Sequence, residues 1–219
     1  MNLSASASPR PYRLGRRADG VRRTTASIVA AALSFVPGRA WAEVTIAEVA
    51  DRAGVTERTV LRHFATKDDL ARACMARGQE EVRAERPGAP GTSLEDAVAE
   101  LVAHYEERGD IALWLLDHAR RSDVLAEAAA AGSALHDAWA GRVFGEALAS
   151  LGLPAAERRR RLAALCAATD VHAWDVLRHR CGLSRRDTEA ALRTTCAGLL
   201  GAGGAARAGQ QPQEGAGRP

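Results

Sequence analysis

Glu57, Arg58, Thr59, Arg62 and His63 are crowded into one short stretch, and every one of their side chains can bond to a base edge or a phosphate oxygen. Arg58 has the planar fork that pairs bidentately with guanine, and Glu57 can accept from the amino group of cytosine. Thr45, Arg62, His63 and Lys67 have donors suited to phosphate oxygens, which position a protein on a duplex without reading its sequence. Thr56 and Thr59 complete the candidate DNA-contacting set: Thr45, Thr56, Glu57, Arg58, Thr59, Arg62, His63 and Lys67.

These residues need helices to aim them, and the stretch TIAEVADRAGVTERTVLRHFATKDDL supplies the signals. Thr45 and Glu48 have the spacing of a capping box. Ile46, Val49, Ala50 and Ala53 then recur at helical period on one face. Gly54 accepts the left-handed conformation past a helix end. Val55 plugs the corner, and Thr56 can cap a second helix that carries Val60, Leu61 and Phe64 inward. Thr66 and Asp69 repeat the capping pattern and open a third helix. Helix, glycine turn, helix is the helix-turn-helix pattern, in which the second helix enters the major groove. Spacing alone leaves two readings open, a DNA reader and a helical corner with a solvated polar face.

The same stretch resembles the DNA-binding motif of tetracycline-repressor (TetR) family regulators. The resemblance rests on Val49-Ala50-Asp51-Arg52-Ala53-Gly54-Val55, then Thr59 to Phe64, then Lys67 to Leu70. It implies an all-α fold with an N-terminal three-helix DNA-binding domain and a C-terminal helical ligand-binding and dimerisation domain. It also implies that Glu57, Arg58 and Thr59 occupy base-reading positions. Leu61 departs from the pattern, since relatives often carry a phosphate-contacting Tyr there. Leu cannot donate that bond, so either it packs inward or Arg62 compensates.

A chain of 219 residues has room for such a unit and one larger helical domain. Its 47% hydrophobic content is that of a globular protein. The net charge of only +3 means that attraction to nucleic acid must come from local clustering. Cys74, Cys166, Cys181 and Cys196 show no C-x-x-C spacing, and no secretory leader or spanning apolar run is read. The cytoplasm is the expected location, with no membrane partner.

Residues 1–22 read as a basic flexible arm in which Arg10, Arg13, Arg16, Arg17 and Arg22 accumulate against Asp19. Such arms either stay solvated or enter a minor groove beside a recognition helix. Arg22 and Arg23 are phosphate candidates. The helix-turn-helix domain is expected over 23–66, its first helix running from about Thr24 to Phe35 and ended by Pro37-Gly38. The loop after it, holding Trp41 as a core residue, is somewhat longer than in the resembling family. A connecting helix is expected over 67–86, then Pro/Gly punctuation at 87–91, a helical regulatory and dimerisation domain over 93–200, and a disordered tail over 201–219.

Within 93–200, the pattern predicts a helix ending near Gly109 and another from Ile111 to Arg121. A segment from Asp123 to Leu151 is interrupted at Gly132-Ser133. A long helix over 155–180 and a last one capped by Ser184 and Asp187 follow. The resemblance implies that the last two helices, from His172 to Leu200, form a homodimer interface. It also implies a pocket for a small-molecule effector among the middle helices. The residues whose inward placement and chemistry suit such a pocket are Tyr105, Trp114, His118, Trp139, Cys166, Asp170 and Trp174. The same stripes at helical spacing are equally what a plain core requires. The arginine run 158–161 reads as a solvated helix start.

No H-E-x-x-H, G-x-S-x-G or Gly-rich phosphate loop is present. The expectation is therefore no enzyme, no cofactor and no metal. The reading is a sequence-specific transcriptional regulator, a repressor released from a palindromic double-stranded DNA operator by an effector. The alternative is a helical small-molecule-binding or metal-site protein without sequence-specific DNA binding.

Overall fold

The structure, a computed structural model, describes residues 12–85 and 91–201. The arm before Tyr12, the Pro/Gly punctuation at 87–90 and the tail from 202 lie outside the described residues. Every regular element among the described residues is helical, in the order α1 (Tyr12–Leu33), α2 (Ile46–Ala53), α3 (Glu57–His63), α4 (Lys67–Glu85), α5 (Leu94–His118), α6 (Asp123–Ser150), α7 (Ala155–Ala168), α8 (Val171–Asp175) and α9 (Arg185–Leu199). The chain divides into two units after Gly78, within α4.

In the first unit, Ile28, Val29, Ala31 and Ala32 of α1 are buried together with Trp41, Val44, Val49, Ala50, Val60, Phe64, Leu70, Ala71 and Cys74. Burying a side chain such as Ile28 or Leu70 contributes about 1.5–3 kcal/mol, so short helices gain from shared burial what they lack alone. Helix α1 starts at Tyr12, inside the stretch expected to be an irregular arm. Arginine favours helix even where no apolar stripe marks one. Arg22 bonds Asp19 one turn back, and the Thr24 and Thr25 hydroxyls return to the Gly20 and Val21 carbonyls at 3.0 Å.

In the second unit the core is built by Val98, Leu101, Val102 and Tyr105 of α5, Trp139, Phe144 and Leu148 of α6, Leu165 of α7, Trp174 of α8, and Leu192 and Cys196 of α9. Three breaks differ from expectation. Helix α5 runs unbroken through Gly109 because that glycine serves a close approach. A Cβ there would stand 2.3 Å from Cζ3 of Trp174. Helix α6 likewise continues through Gly132-Ser133, where a missing side chain costs helix propensity without ending the helix.

The long helix expected over 155–180 breaks instead at Thr169-Asp170. The Thr169 hydroxyl bonds the Leu165 carbonyl at 2.7 Å, and the Tyr105 hydroxyl donates to the Thr169 carbonyl at 3.0 Å. Asp170 then caps α8 by accepting the His172 amide at 2.9 Å. After α8 the backbone widens into one π turn over Val176–Arg180, with the Cys181 N–H reaching the Val176 carbonyl at 2.9 Å. Gly182, at φ 67°, turns the chain into α9.

Candidate nucleic-acid interface

Local chemistry sets the start of α2. The Glu48 amide donates to the Thr45 hydroxyl oxygen at 3.2 Å, while the Glu48 carboxylate accepts the Thr45 amide and hydroxyl at 2.8 Å each. Arg39 adds a charge-assisted bond to Glu48 at 2.7 Å. That bond first, then those from the Thr45 amide and hydroxyl, pull the Glu48 carboxyl down to about 2. Gly54 ends α2 at φ 67°, and the Val55 amide returns to the Ala50 carbonyl at 3.0 Å. Thr56 caps α3 by accepting the Thr59 amide at 3.2 Å, and its hydroxyl lies 3.0 Å from that of Thr59.

Helix α3 sorts its residues by face. Val60 and Phe64 are buried, Thr59 and His63 are half-buried, and Glu57, Arg58, Leu61 and Arg62 are exposed. The exposed four follow the i, i+1, i+4, i+5 pattern of a single helix face. Glu57, Arg58 and Arg62 have no side-chain partner among the described residues, so their charges and donors are available to a ligand. Leu61 corrects the sequence reading. It is 48% exposed and does not pack inward, because Val60 and Phe64 already fill the core-facing positions.

The other candidates hold structural bonds as well. The Thr45, Thr56 and Thr59 hydroxyls are engaged in the two caps just described. His63 uses Nδ1 to meet the Thr25 hydroxyl of α1 at 2.9 Å. Lys67 donates to the Ala42 carbonyl at 3.0 Å and stands 5.3 Å from the centre of the Trp41 ring. Partial burial there shifts its ammonium below the ordinary lysine range. An ammonium has three donors, so Lys67 keeps capacity for a phosphate oxygen. At the start of α4, Thr66 and Asp69 form the reciprocal cap, with amide bonds of 3.0 and 3.1 Å.

Sequence reasoning missed the residues that brace this motif. Arg39 donates to the Glu43 carbonyl at 2.7 Å, and Arg52 donates to the Ser34 hydroxyl at 2.8 Å. Their guanidinium carbons lie 5.8 and 4.6 Å from the centre of the Phe35 ring. Only the unusual length of the loop hinted that something must hold it.

In the second unit the pocket candidates fall into separate groups. Tyr105, Trp139 and Trp174 meet in the core, with Cys166 packed against it. The Tyr105 and Trp174 rings are 5.9 Å apart, and the Trp174 indole donates to Glu106 at 3.0 Å. Trp139 stacks on His136 at 5.7 Å and meets the edge of Phe144 at 5.8 Å. Burial, with Asp137 nearby, pushes the Cys166 thiol up. Trp114 and His118 form their own stacked pair at 4.6 Å, and His118 Nδ1 bonds the Trp114 carbonyl at 2.8 Å. The indole N–H of buried Trp114 has no hydrogen-bond partner among the described residues. Asp170 is the α8 cap.

Burial also raises the Cys74 thiol to about 12 and the Cys196 thiol to about 11. Among the described residues there is no group of three or more His, Cys, Asp or Glu placed to hold a metal ion. No helix among them is long and apolar enough to cross a membrane.

Comparison with known proteins bears on both units. Residues 28–74 match the family model of bacterial regulatory proteins, tetR family. No curated protein matches the chain. A transcriptional regulator from Rhodococcus sp. Rha1 superposes with a TM-score of 0.59 at 23% identity, over 83% of this chain and 96% of its own. Salmonella enterica GusR does so with a TM-score of 0.62 at 20% identity, over 82% of this chain and 96% of its own. The fatty acid degradation regulator FadR from Bacillus halodurans gives 0.50 at 18% identity, over 81% and 94%. At these identities the likeness is one of fold. The matched residues run from Ile28 of α1 through the capped helix pair to Cys74 of α4. Over this N-terminal segment the chain is similar to the bacterial regulatory proteins of the tetR family.

Proposed function

We propose that the protein is a homodimeric transcriptional repressor that reads a palindromic operator through α3 and leaves it when a small-molecule effector binds the second unit. The observation that carries this reading is the face of α3. Glu57, Arg58 and Arg62 stand exposed, without side-chain partners among the described residues, on a helix pinned by its cap, its core residues and the His63–Thr25 bond. One such helix contacts few base pairs, so two copies on a two-fold site are required for useful specificity. The pair formed by α8 with its π turn and α9 is the dimer surface in this reading.

The effector acts by linkage. It binds better to the conformation that fits DNA poorly, so operator affinity falls by the ratio of its two affinities. Tyr105, Trp114, His118, Trp139, Cys166, Asp170 and Trp174 remain the proposed effector region. The Trp114 indole, which has no acceptor among the described residues, supports a polar effector group on that side, since a buried donor without an acceptor is costly. The activity is regulatory rather than enzymatic, and its setting is the cytoplasm.

The test is selection of bound sequences from a random double-stranded DNA pool with the full-length protein, followed by fluorescence anisotropy on the winner. A palindromic consensus bound in the presence of competitor DNA supports the proposal. Binding no tighter than to random duplex sinks it and leaves the helical small-molecule binder as the reading.

A further inference from the structure

We propose that Leu61 is a specificity residue that recognises the 5-methyl group of a thymine in the operator's major groove. The inference rests on the reading of α3 as the recognition helix and adds to it a chemistry that hydrogen bonding cannot supply.

Leu61 is one of three large apolar side chains exposed among the described residues, at 48%. The other two, Val21 and Leu151, belong to other elements. A scattered exposed Leu is ordinary on a protein surface. Leu61 differs in its company, because it shares its face with Glu57, Arg58 and Arg62 and lies one turn after the first two. The helix cannot roll to bury it. Val60 is fully buried, Phe64 is 7% exposed, and the Thr56 cap fixes where the helix begins. If Glu57 and Arg58 meet base edges, Leu61 is presented to the same groove.

An isobutyl group neither donates to a phosphate nor pairs with a base edge. Its contribution in a groove comes from removing apolar surface from water. The major groove offers one apolar group for that purpose, the thymine 5-methyl. A side chain with hydrogen-bonding capacity would lose its water there without gaining a partner. Leucine makes the contact without that penalty.

The methyl group can be deleted from the DNA while the protein is left untouched. In the operator recovered from the random pool, each thymine is replaced in turn by deoxyuridine, and affinities are measured by anisotropy for the full-length protein and for Leu61→Ala. The substituted residue is exposed, and circular dichroism confirms that the variant folds. For the unaltered protein, one thymine position per half-site should cost about fourfold on losing its methyl, the size of one buried methyl group. For Leu61→Ala the same replacement should cost nothing, and a pool selected with the variant should lose its thymine preference at that position. A consensus whose thymines all tolerate deoxyuridine overturns the inference. So does an equal deoxyuridine penalty in Leu61→Ala. A pool that yields no consensus sinks the DNA-reading proposal itself, and this inference with it.

Discussion

Replacing Gly109 by alanine separates two effects that usually act together at a helical glycine. In an open helix interior, Gly→Ala stabilises by about 0.5–1 kcal/mol, because glycine loses more backbone freedom on folding. At Gly109 the new Cβ would lie 2.3, 2.6 and 2.9 Å from Cζ3, Cη2 and Cε3 of Trp174. Carbon atoms pack at about 3.5–4.0 Å, so the indole must retreat by roughly an ångström. Trp174 has little room to do so. It is 4% exposed, packs on Tyr105, and donates to a Glu106 carboxylate that Arg178 also holds, at 2.6 Å. Overpacking of this kind costs about 1–3 kcal/mol. Disturbing a hydrogen bond to a charged group costs about 1.5–3 kcal/mol more. The propensity gain cannot offset both, and a net loss of about 2 kcal/mol or more is expected.

Urea denaturation followed by far-ultraviolet circular dichroism and tryptophan fluorescence measures this loss. Gly132→Ala in α6 is the control, since nothing lies within 4 Å of its added Cβ, and it should be slightly stabilising. In a Trp174→Leu background the cost of Gly109→Ala should largely disappear. Gly109→Ala at least as stable as the unaltered protein, or equally costly without the indole, would refute the close-approach account.

Further outcomes concern the first unit. Arg58→Ala should weaken operator binding by about 1–3 kcal/mol and relax one consensus position, read by repeating the pool selection with the variant. Arg62→Ala should weaken all sequences alike and reduce the slope of log affinity against log salt by about one, measured by anisotropy across a salt series. Glu48→Gln should be destabilised at neutral pH. The Glu48 carboxyl falls from 4.5 to about 2 on folding, so its contribution is complete above 4.5 and is lost as pH drops towards 2. The gap between the urea midpoints of variant and unaltered protein should therefore close across that window, and a gap that persists at its acid end would contradict the assignment.

What could be read from the sequence was what neighbours in the chain decide. Thr45 with Glu48, Thr66 with Asp69, Ser93 with Asp96 and Ser184 with Asp187 all cap as their three-residue spacing predicts, because each cap closes within one helical turn. Gly54 adopts the left-handed turn for the same local reason. The misread positions depend on distant partners. Gly109 looked like a stop and is a contact surface for Trp174. Thr169 looked like the middle of a helix and is its end, where Tyr105, distant in sequence, takes the carbonyl. Leu61 looked inward because it is apolar, yet the places facing the core belong to Val60 and Phe64. In the candidate interface, residue types and their order were legible. Which side chains stand free, and which also hold the fold, depended on Thr25, Ala42 and Arg39, whose positions no local pattern announces.

The division of labour within the motif has a consequence for how it would read DNA. Helix α3 has seven residues, too few to be stable alone, and it persists because its surroundings hold it. Thr56 fixes its start, Val60 and Phe64 anchor its inner face, and His63 ties its end to α1. Lys67 closes onto the Ala42 carbonyl, and Arg39 ties the preceding loop to Glu48, so the extra loop length does not free α2. The platform is thus fixed while Glu57, Arg58, Leu61 and Arg62 remain exposed, the three charged side chains without a partner among the described residues. An arginine side chain carries about 2 kcal/mol of rotamer entropy, and the fold does not remove it in advance for Arg58 or Arg62. That entropy is lost on binding, so a matching base pair must return more than the ordering costs. A mismatched one leaves the side chain unordered and the carboxylate or guanidinium in water. Discrimination then comes from the reading side chains, while the platform supplies only their origin and direction.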